Sequence, residues 1–262
     1  MREILDLDRY PLDRPESTAW WALVARCRAD LAENGMFNLE GFMHGSVAQA
    51  EADALIPLFA SESFRHARDH NIYFLDNVPG LAADHPALTR FRTSNNTLCW
   101  DQLAGSAMDR LYRWPDFARF LAAVMKKEAL YPMADPLAGL NTMSYSEGQT
   151  LNWHFDRSEF TTTLLMQAPE IGGEFIYRTD LRSEENPNYD GVARMLAGDD
   201  PEVQTLTLSP GALNVFRGKN TPHRVGDVKG ARARVSSVFS FYEQPAVTFS
   251  DAERQGFYGR AS

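Results

Sequence analysis

The spacing of apolar residues predicts two helices near the start of the chain. Between residues 19 and 34 apolar side chains recur every three or four positions, and Gly35 is a typical stop. Ser17 precedes this run and can accept a hydrogen bond from one of the first free amides. The same period over residues 47–60 predicts a second helix, which residues 61–71 can extend.

The pattern is weaker in the next part of the chain. Residues 37–42 alternate apolar and other side chains and predict a short strand. Residues 72–103 mix polar and apolar positions around prolines, so we expect irregular structure there. Two further short helices are expected near residues 104–113 and 116–129, the second directly after Pro115.

From about residue 140 the period changes to that of strands. Short runs of β-branched and alternating residues are separated by glycine and proline turns, which indicates an antiparallel sandwich or barrel. The helices are too apolar on one face to stand alone, so we expect an α+β fold with the N-terminal helices packed on one sheet. The expected strands are residues 140–145, 150–156, 161–167, 174–177, 203–208, 212–216, 223–228 and 232–242.

Composition and charge limit the kinds of molecule that the protein is expected to bind. The chain has 262 residues and a formal net charge of −9, which disfavours nucleic acid and anionic membranes as partners. Cys27 and Cys99 are too few for a zinc cluster or a disulfide framework. The charged first residues do not resemble a signal peptide, and no run of about 18 apolar residues occurs. We therefore expect a cytoplasmic protein.

A candidate metal site lies in the strand predicted over residues 150–156. Residues two apart in a strand point to the same face, so His154 and Asp156 would project side by side. Two histidines and one carboxylate are the ligand set of non-haem Fe(II) oxygenases, and His223 can supply the third ligand from a distant strand. Each histidine taken alone is more often an ordinary core or surface residue, so the site depends on its context.

A candidate anion site follows in the last long predicted strand. Arg234 and Ser236 share one face of this strand, and an arginine fork beside a hydroxyl group suits a carboxylate. Arg232 lies on the same face and competes for this role. It lacks the serine two residues later, so we expect it to be a surface charge or a supporting residue.

Six short motifs follow one another in the second half of the chain. They are His154-Phe155-Asp156, Thr163-Leu164-Leu165, Gly172-Gly173-Glu174-Phe175, Pro210-Gly211-Ala212-Leu213-Asn214-Val215-Phe216, His223-Arg224-Val225 and Arg234-Val235-Ser236. In this order they resemble the Fe(II)/2-oxoglutarate-dependent oxygenases over roughly residues 139–245. Within that superfamily, residues 153–158 and 253–260 are similar to the group of free-amino-acid hydroxylases and radical halogenases.

The resemblance implies a double-stranded β-helix (jelly roll) in which His154, Asp156 and His223 bind Fe(II). Arg234, helped by Ser236, would bind the distal carboxylate of 2-oxoglutarate. O2 would be the further co-substrate, and 2-oxoglutarate would be converted to succinate and CO2. The catalytic residues implied are thus the three metal ligands.

The residue at position 156 separates two reactions within the resembled group. Its halogenases carry a small residue there, which leaves a coordination site for chloride. Asp156 fills this position, so the resemblance predicts a dioxygenase that hydroxylates an unactivated C–H bond in a free amino acid or similar small metabolite. Desaturation or ring chemistry stays open. The alternatives are a peptidyl hydroxylase of the prolyl type and a non-catalytic jelly-roll binding module.

Candidate substrate contacts come from three places. Arg90 and Arg92 lie upstream, where the amino-acid-oxidising group carries an arginine for the substrate carboxylate, and of the two we favour Arg92. Arg157 follows a metal ligand but would point to the opposite face of a regular strand, so a structural role is the alternative. Phe257 and Tyr258 can close over the pocket as a lid. The acidic insertion at residues 179–203 is either a solvated loop or a second lid.

We expect a single oxygenase domain over residues 1–262. Its parts would be a mainly helical segment at 1–138, a jelly-roll core at 139–245 and a C-terminal lid or tail at 246–262. The sequence leaves open the identity of the substrate, the position that is oxidised and the oligomeric state.

Overall fold

The protein combines two main antiparallel sheets with six α-helices, as a computed structural model of residues 1–261 shows. The helices of these residues are α1 (Thr18–Asn34), α2 (Gly45–Ser61), α3 (Ala107–Tyr112), α4 (Pro115–Met125), α5 (Tyr189–Ala197) and α6 (Asp251–Tyr258). The strands are β1 (Met36–Leu39), β2 (Phe64–His70), β3 (Phe91–Leu98), β4 (Tyr131–Pro132), β5 (Leu140–Tyr145), β6 (Leu151–His154), β7 (Thr161–Gln167), β8 (Phe175–Tyr177), β9 (Gln204–Leu206), β10 (Leu213–Phe216), β11 (His223–Val225), β12 (Arg234–Phe239) and β13 (Phe241–Tyr242).

The first helix begins and ends as its sequence predicts. The side chain of Ser17 accepts a hydrogen bond from the amide of Trp20 at 3.2 Å. Gly35 has a φ of 72°, a left-handed conformation that favours glycine, and its amide donates to the carbonyl of Leu31. The chain then turns directly into β1, which pairs with β10 at the edge of the large sheet.

The strands form a jelly roll. The large sheet has the order β1-β10-β7-β12-β5-β3-β2, and the smaller sheet has the order β6-β11-β8-β9. Strands far apart in sequence are neighbours in both sheets, as in β6 and β11, so the roll brings distant motifs together. The predicted α+β fold with a jelly roll is confirmed by this arrangement.

The main core lies between the large sheet and the N-terminal helices. Trp20 and Val24 of α1 and Phe117 and Phe120 of α4 are buried in the same cluster as Phe239 of β12. Burying large apolar side chains from both layers stabilises their packing, because apolar surface leaves water. The helices are therefore held on the face of the sheet that lies away from the candidate site.

Residues 61–71 do not continue the second helix, so that expectation is wrong. The helix ends at Ser61, and residues 64–70 form β2, which pairs with β3 in continuous register. Its residues alternate between partly buried and exposed positions, the period of a strand. The neighbouring expectation of irregular structure over residues 72–103 holds only in part, because β3 occupies residues 91–98.

The insertion at residues 179–203 is not a solvated loop throughout. It contains α5, and Val192 and Met195 of this helix are buried against Ile72 and Phe155. The hydroxyl group of Tyr73 also donates to the carbonyl of Pro187 at 2.9 Å. The insertion thus packs onto the chain beside the candidate metal site.

The structure also bears on membrane association. No helix within residues 1–261 has the length and apolar character needed to cross a bilayer. The expected cytoplasmic location and the single-domain organisation stay predictions.

Candidate metal centre and substrate cavity

Three side chains with metal-binding groups converge at one end of the smaller sheet. His154 is the last residue of β6, and its Cα partner across the sheet is His223 of β11. Asp156 lies two residues beyond the end of β6. Its two carboxylate oxygens are each 3.4 Å from a histidine Nε2, one from His154 and one from His223. The potential ligand atoms of the three residues lie within 4.8 Å of one another.

Backbone carbonyls fix the orientation of both histidine rings. Nδ1 of His154 lies 2.8 Å from the carbonyl of Asn152, and Nδ1 of His223 lies 2.9 Å from that of Thr221. Each Nδ1 therefore carries the proton and donates it, which leaves the lone pair of Nε2 directed at Asp156. This is how metal-binding histidines are commonly oriented.

Two further residues, Thr161 and Gly218, fix the position of the Asp156 carboxylate. The hydroxyl group of Thr161 donates to its Oδ2 at 2.5 Å, and Gly218 lies so close that a Cβ there would come within 2.2 Å of the same oxygen. Burial would raise the pKa of Asp156, but the two histidines and Thr161 hold it well below its usual range. The carboxylate is therefore ionised and ready to bind a cation.

His223 is neutral at ordinary pH. Burial disfavours the imidazolium ion and lowers the pKa of His223 to about 4, although Asp156 acts in the opposite direction. Only a neutral imidazole can donate its lone pair to a metal. The site thus combines the nitrogen donors of two histidines with one negative oxygen donor.

Arg234 forms a second buried feature next to the metal centre. Its side chain is 6% exposed, its Nε donates to the carbonyl of Gly173 at 2.9 Å, and no carboxylate within residues 1–261 forms an ion pair with it. Burial lowers the pKa of Arg234, although the group remains a cation at neutral pH. It lines a cavity of about 330 Å³ together with Phe175, whose ring centroid is 5.4 Å from that of His223. A buried cation without a counter-charge suits an anionic ligand.

Ser236 is also buried, on the same strand as Arg234. Its hydroxyl group donates to the carbonyl of Leu164 at 3.2 Å, and it is not among the residues that line this cavity. The structure therefore brings Arg234 to the cavity and ties Ser236 to the neighbouring strand.

A cavity of about 540 Å³ opens beside the metal centre. His154, Phe155 and Asp156 line it on one side. The inward face of β3 and parts of β2, β5 and α6 form the rest of its wall. The two candidate lid residues Phe257 and Tyr258 both lie in this wall.

Strand β2 contributes side chains that the sequence reasoning did not assign to the site. His66, Arg68 and His70 point to the cavity, because alternate residues of a strand share a face. The predicted extension of the second helix over residues 61–71 would place His66 and His70 four residues apart on an exposed helix surface. That expectation is wrong, and the alternating pattern of residues 64–70 was the signal that could have placed them.

Arg68 is a positively charged side chain of β2 that lines this cavity. No acidic side chain within the described residues lies within ion-pair distance of it. Its guanidinium carbon is 4.1 Å from the centroid of the Phe74 ring, and that ring stacks on His70 with 4.5 Å between centroids. Burial and the positive charge of Arg157 lower the pKa of Arg68. The cavity therefore contains a half-buried cation available to an anion.

His70 is fixed as a neutral ring. Its Nδ1 lies 2.9 Å from the carbonyl of Asn71, and its Nε2 lies 2.7 Å from the hydroxyl group of Thr93. That hydroxyl group accepts a hydrogen bond from the amide of Asn152, so it can donate its own proton to His70. The pKa of His70 is lowered, chiefly by burial.

The two arginines that the sequence suggested as substrate contacts, Arg92 and Arg157, lie outside the inner wall of the cavity. Arg92 projects from the outer face of β3, has a side chain that is 64% exposed and pairs with Asp69 at 3.1 Å. It is not among the residues that line the cavity. Arg157 lies at the cavity rim, where it pairs with Glu253 of α6 at 3.1 Å. Arg68, Arg90 and Arg157 thus line the cavity, whereas Arg92 does not.

Solved structures with the same fold include proteins described as dependent on alpha ketoglutarate or as 2OG-Fe(II) oxygenases. The epimerase SnoN from nogalamycin biosynthesis, described as non-heme and alpha ketoglutarate dependent, has a TM-score of 0.56 at 16% identity, covering 85% of this chain and 83% of that one. AviO1 from Streptomyces viridochromogenes has a TM-score of 0.54 at 15% identity, covering 85% and 96%. A member of the 2OG-Fe(II) oxygenase family from Burkholderia pseudomallei has a TM-score of 0.51 at 15% identity, covering 86% and 92%. At these identities the likeness shows the fold.

Sequence comparison identifies the family. No curated protein matches the chain. The family model described as Halogenase D matches residues 89–253, which include the three convergent candidate metal ligands and Arg234. This agrees with the resemblance to oxygenases and radical halogenases that the motifs indicated. Because the matched segment is more than half of the chain, the protein belongs to the Halogenase D family.

Proposed function

We propose that the protein is an Fe(II)/2-oxoglutarate-dependent hydroxylase of an unactivated C–H bond in a free amino acid or similar small metabolite. The observation that carries this proposal is the convergence of His154, Asp156 and His223, with both Nε2 atoms directed at the carboxylate. Two histidines and one carboxylate on one side of a metal leave the remaining positions open, as in non-haem Fe(II) oxygenases.

The donor set fits Fe(II) on chemical grounds. Imidazole nitrogen suits iron, and the ionised Asp156 offsets part of its charge. The carbonyls of Asn152 and Thr221 orient the two rings, and Thr161 orients the carboxylate. Held by such partners, the ligands keep their geometry without the metal, which favours binding.

The distal carboxylate of 2-oxoglutarate is assigned to Arg234. This cation is buried without a counter-charge, and its cavity adjoins the metal centre through Phe175. An arginine fork can bind a carboxylate with two parallel hydrogen bonds. We propose no direct contact for Ser236, since its hydroxyl group already donates to Leu164.

The substrate is assigned to the larger cavity. Arg68 would bind its carboxylate, and the rings of Phe257 and Tyr258 would exclude water from one side. When bound, Fe(II) supplies the oxidation: the substrate R–H, O2 and 2-oxoglutarate give R–OH, succinate and CO2. The residues of this chain bind and orient the two organic molecules around the metal.

Hydroxylation is favoured over the halogenation that the family name suggests. Chloride transfer needs a ligand position vacated by the protein, and Asp156 occupies this position with an ionised carboxylate held by Thr161. A halide would have to displace this anion from a site that stabilises it. Hydroxylation would leave Asp156 in place as a ligand and needs no such displacement.

The test is a panel of free amino acids incubated with Fe(II), 2-oxoglutarate and O2. We expect succinate and a product heavier by one oxygen atom from at least one amino acid. His154→Ala and Asp156→Ala should abolish both, whereas His44→Ala, far from the metal centre in the fold, should not. Turnover of peptides but not of free amino acids would support a prolyl-type hydroxylase instead. Failure to bind 2-oxoglutarate with Fe(II) under anaerobic conditions would support a non-catalytic jelly roll.

A further inference from the structure

The charges of the larger cavity are unevenly distributed. Asp69 and Asp76 line it, but they lie at its rim with side chains that are 56% and 90% exposed, and each pairs with an arginine. Asp156 faces the two histidines of the metal centre. No other acidic residue of the described chain lines this cavity, so its inner wall offers no carboxylate to a positively charged side chain.

The inner wall instead carries neutral hydrogen-bonding groups on two adjacent strands. Asn95 and Thr97 of β3 are 4% and 6% exposed, and Asn141 of β5 lies beside them. The hydroxyl group of Tyr258 donates to Oδ1 of Asn141 at 2.9 Å, and Nδ2 of Asn141 donates to the carbonyl of Leu137 at 2.7 Å. The amide of Asn141 is therefore engaged by the protein.

Asn95 differs from Asn141 in having an unused donor. The hydroxyl group of Thr97 donates to Oδ1 of Asn95 at 2.9 Å, which orients the side-chain amide. No group within residues 1–261 accepts a hydrogen bond from Nδ2 of Asn95, although the residue is buried and lines the cavity. An amide donor that borders a cavity and has no partner in the protein can donate to an acceptor on a bound ligand.

The residue directly opposite Asn95 is also neutral. Its cross-strand partner is His66, whose pKa is lowered by burial and by Arg68. A neutral imidazole can both donate and accept a hydrogen bond. The inner wall can thus satisfy a carbonyl oxygen and an N–H or O–H group, but it cannot balance an ammonium ion or a second carboxylate.

The distance between the two ends of the wall matches a small amino acid. Arg68 pairs with Thr93 across β2 and β3, so Asn95 is its diagonal neighbour on the same face. The Cα atoms of such diagonal neighbours are roughly 7–8 Å apart. An α-amino acid with a side chain of three or four atoms can contact Arg68 with its carboxylate and Asn95 with the end of its side chain.

We propose that the cavity selects an amino acid whose side chain ends in a neutral hydrogen-bonding group of the carboxamide type, with Asn95 as the specificity-determining residue. This inference rests on the proposed function, because it assumes a free amino acid bound beside the metal centre. A cationic side chain of similar length would be excluded, since it would lose water without gaining a counter-charge.

Binding to the anaerobic Fe(II)·2-oxoglutarate enzyme tests the proposal. The probes are L-glutamine, L-glutamate, L-lysine and L-norleucine, which have side chains of similar length but different charge and polarity. Calorimetric titration should give L-glutamine an affinity at least about tenfold above the other three. Asn95→Asp should weaken L-glutamine and strengthen L-lysine by about tenfold or more, and Asn95→Leu should remove the preference of L-glutamine over L-norleucine. Asn186→Asp, on the exposed insertion, should leave the ranking unchanged.

The wild-type ranking does not depend on any variant folding. Tighter binding of L-lysine or L-glutamate than of L-glutamine would overturn the inference while leaving the hydroxylase proposal intact. An absence of 2-oxoglutarate binding with Fe(II) would refute the proposed function itself, and this inference with it. If the enzyme binds 2-oxoglutarate but none of the four amino acids, the carboxamide assignment is wrong and the oxygenase assignment stands.

Discussion

The guanidinium group of Arg157 lies 3.1 Å from the carboxylate of Glu253 and 5.2 Å from the centroid of the Phe257 ring. Arg157 directly follows Asp156, whereas the other two residues belong to α6. The contact therefore connects the metal-site loop with the helix that forms one wall of the cavity. Because the two charged side chains are 73% and 40% exposed, solvent screens the ion pair and it contributes little to the stability of the fold.

Arg157→Gln should loosen this wall without unfolding the protein. We expect the KM for the organic substrate to rise about two- to fivefold, and the ratio of succinate to hydroxylated product to increase, because water enters the cavity more often. Both products are measured in the same reaction. Arg119→Gln removes a similar exposed ion pair in α4 and should change neither quantity. An unchanged ratio of succinate to hydroxylated product in Arg157→Gln would show that the contact does not close the cavity.

Asp135→Asn should destabilise the attachment of the C-terminal segment. Asp135 is fully buried, and it accepts hydrogen bonds from Nε of Arg254 and from the amide of Phe249, both at 2.9 Å. Breaking a buried ion pair from one side leaves the other charge without its partner, so we expect a loss of about 3 kcal/mol in the free energy of unfolding. Denaturant titration measures it. Asp8→Asn, which breaks an exposed pair with Arg2, should cost much less.

The cost of Asp135→Asn should also depend on pH. Burial would raise the pKa of Asp135, but Arg254 and backbone amides lower it below its usual value. A carboxyl group with a lowered pKa in the folded state stabilises the protein above its unfolded pKa of about 4, and this contribution is lost as the pH falls through the folded value. The difference in the free energy of unfolding between wild type and variant should therefore be largest near pH 7 and shrink below about pH 4. A difference that grows on acidification would contradict the ion pair.

Gly218→Ala should weaken metal binding. A Cβ at this position would come within 2.2 Å of Oδ2 of Asp156 and 2.8 Å of Oγ1 of Thr161, so the carboxylate has to move. We expect the affinity for Fe(II), measured anaerobically, to fall about 10- to 100-fold. Gly45→Ala is a matched control, because nothing lies within 4 Å of its added Cβ. Equal affinities in the two variants would mean that Asp156 does not bind the metal in its present position.

Arg234→Met should abolish the binding of 2-oxoglutarate without lowering the stability of the fold. Without 2-oxoglutarate the variant removes a buried cation that has no counter-charge, so we expect its Tm to be equal to or above that of wild type. Adding 2-oxoglutarate with Fe(II) should raise the Tm of wild type but not that of the variant, since the anion has lost its partner. Arg232→Met, at an exposed position, should keep the full response. A normal response in Arg234→Met would place the anion elsewhere.

The metal-binding residues were predictable as candidates, but for an incomplete reason. The sequence argument assumed a regular strand through Asp156, whereas β6 ends at His154 and Asp156 lies beyond it. The three side chains meet because β6 pairs with β11 and because Gly218 and Thr161 place the carboxylate. Strand pairing over such a separation in sequence is a tertiary property that no local pattern contains.

The substrate wall was harder to predict. Residues 61–71 follow a helical run directly, and their alternation is short, so the helix appeared to continue. The misassignment placed His66 and His70 on an exposed surface and left Arg68 unnoticed. Conversely, Arg92 was selected from its place in the chain, but the alternation of β3 turns it away from Thr93 and Asn95. A shift of one residue in a strand exchanges the inner and outer faces.

The position of β2 at the edge of the large sheet has a consequence for how substrate preference can change. The candidate metal ligands belong to the smaller sheet and its adjoining loop, whereas Arg68 lies on an outermost strand that pairs with a single neighbour. Substitutions on its inward face alter the cavity while touching few buried apolar side chains. Libraries restricted to residues 66 and 68 should therefore yield altered substrate preference with the metal centre retained, which makes this strand the first choice for redesign of specificity.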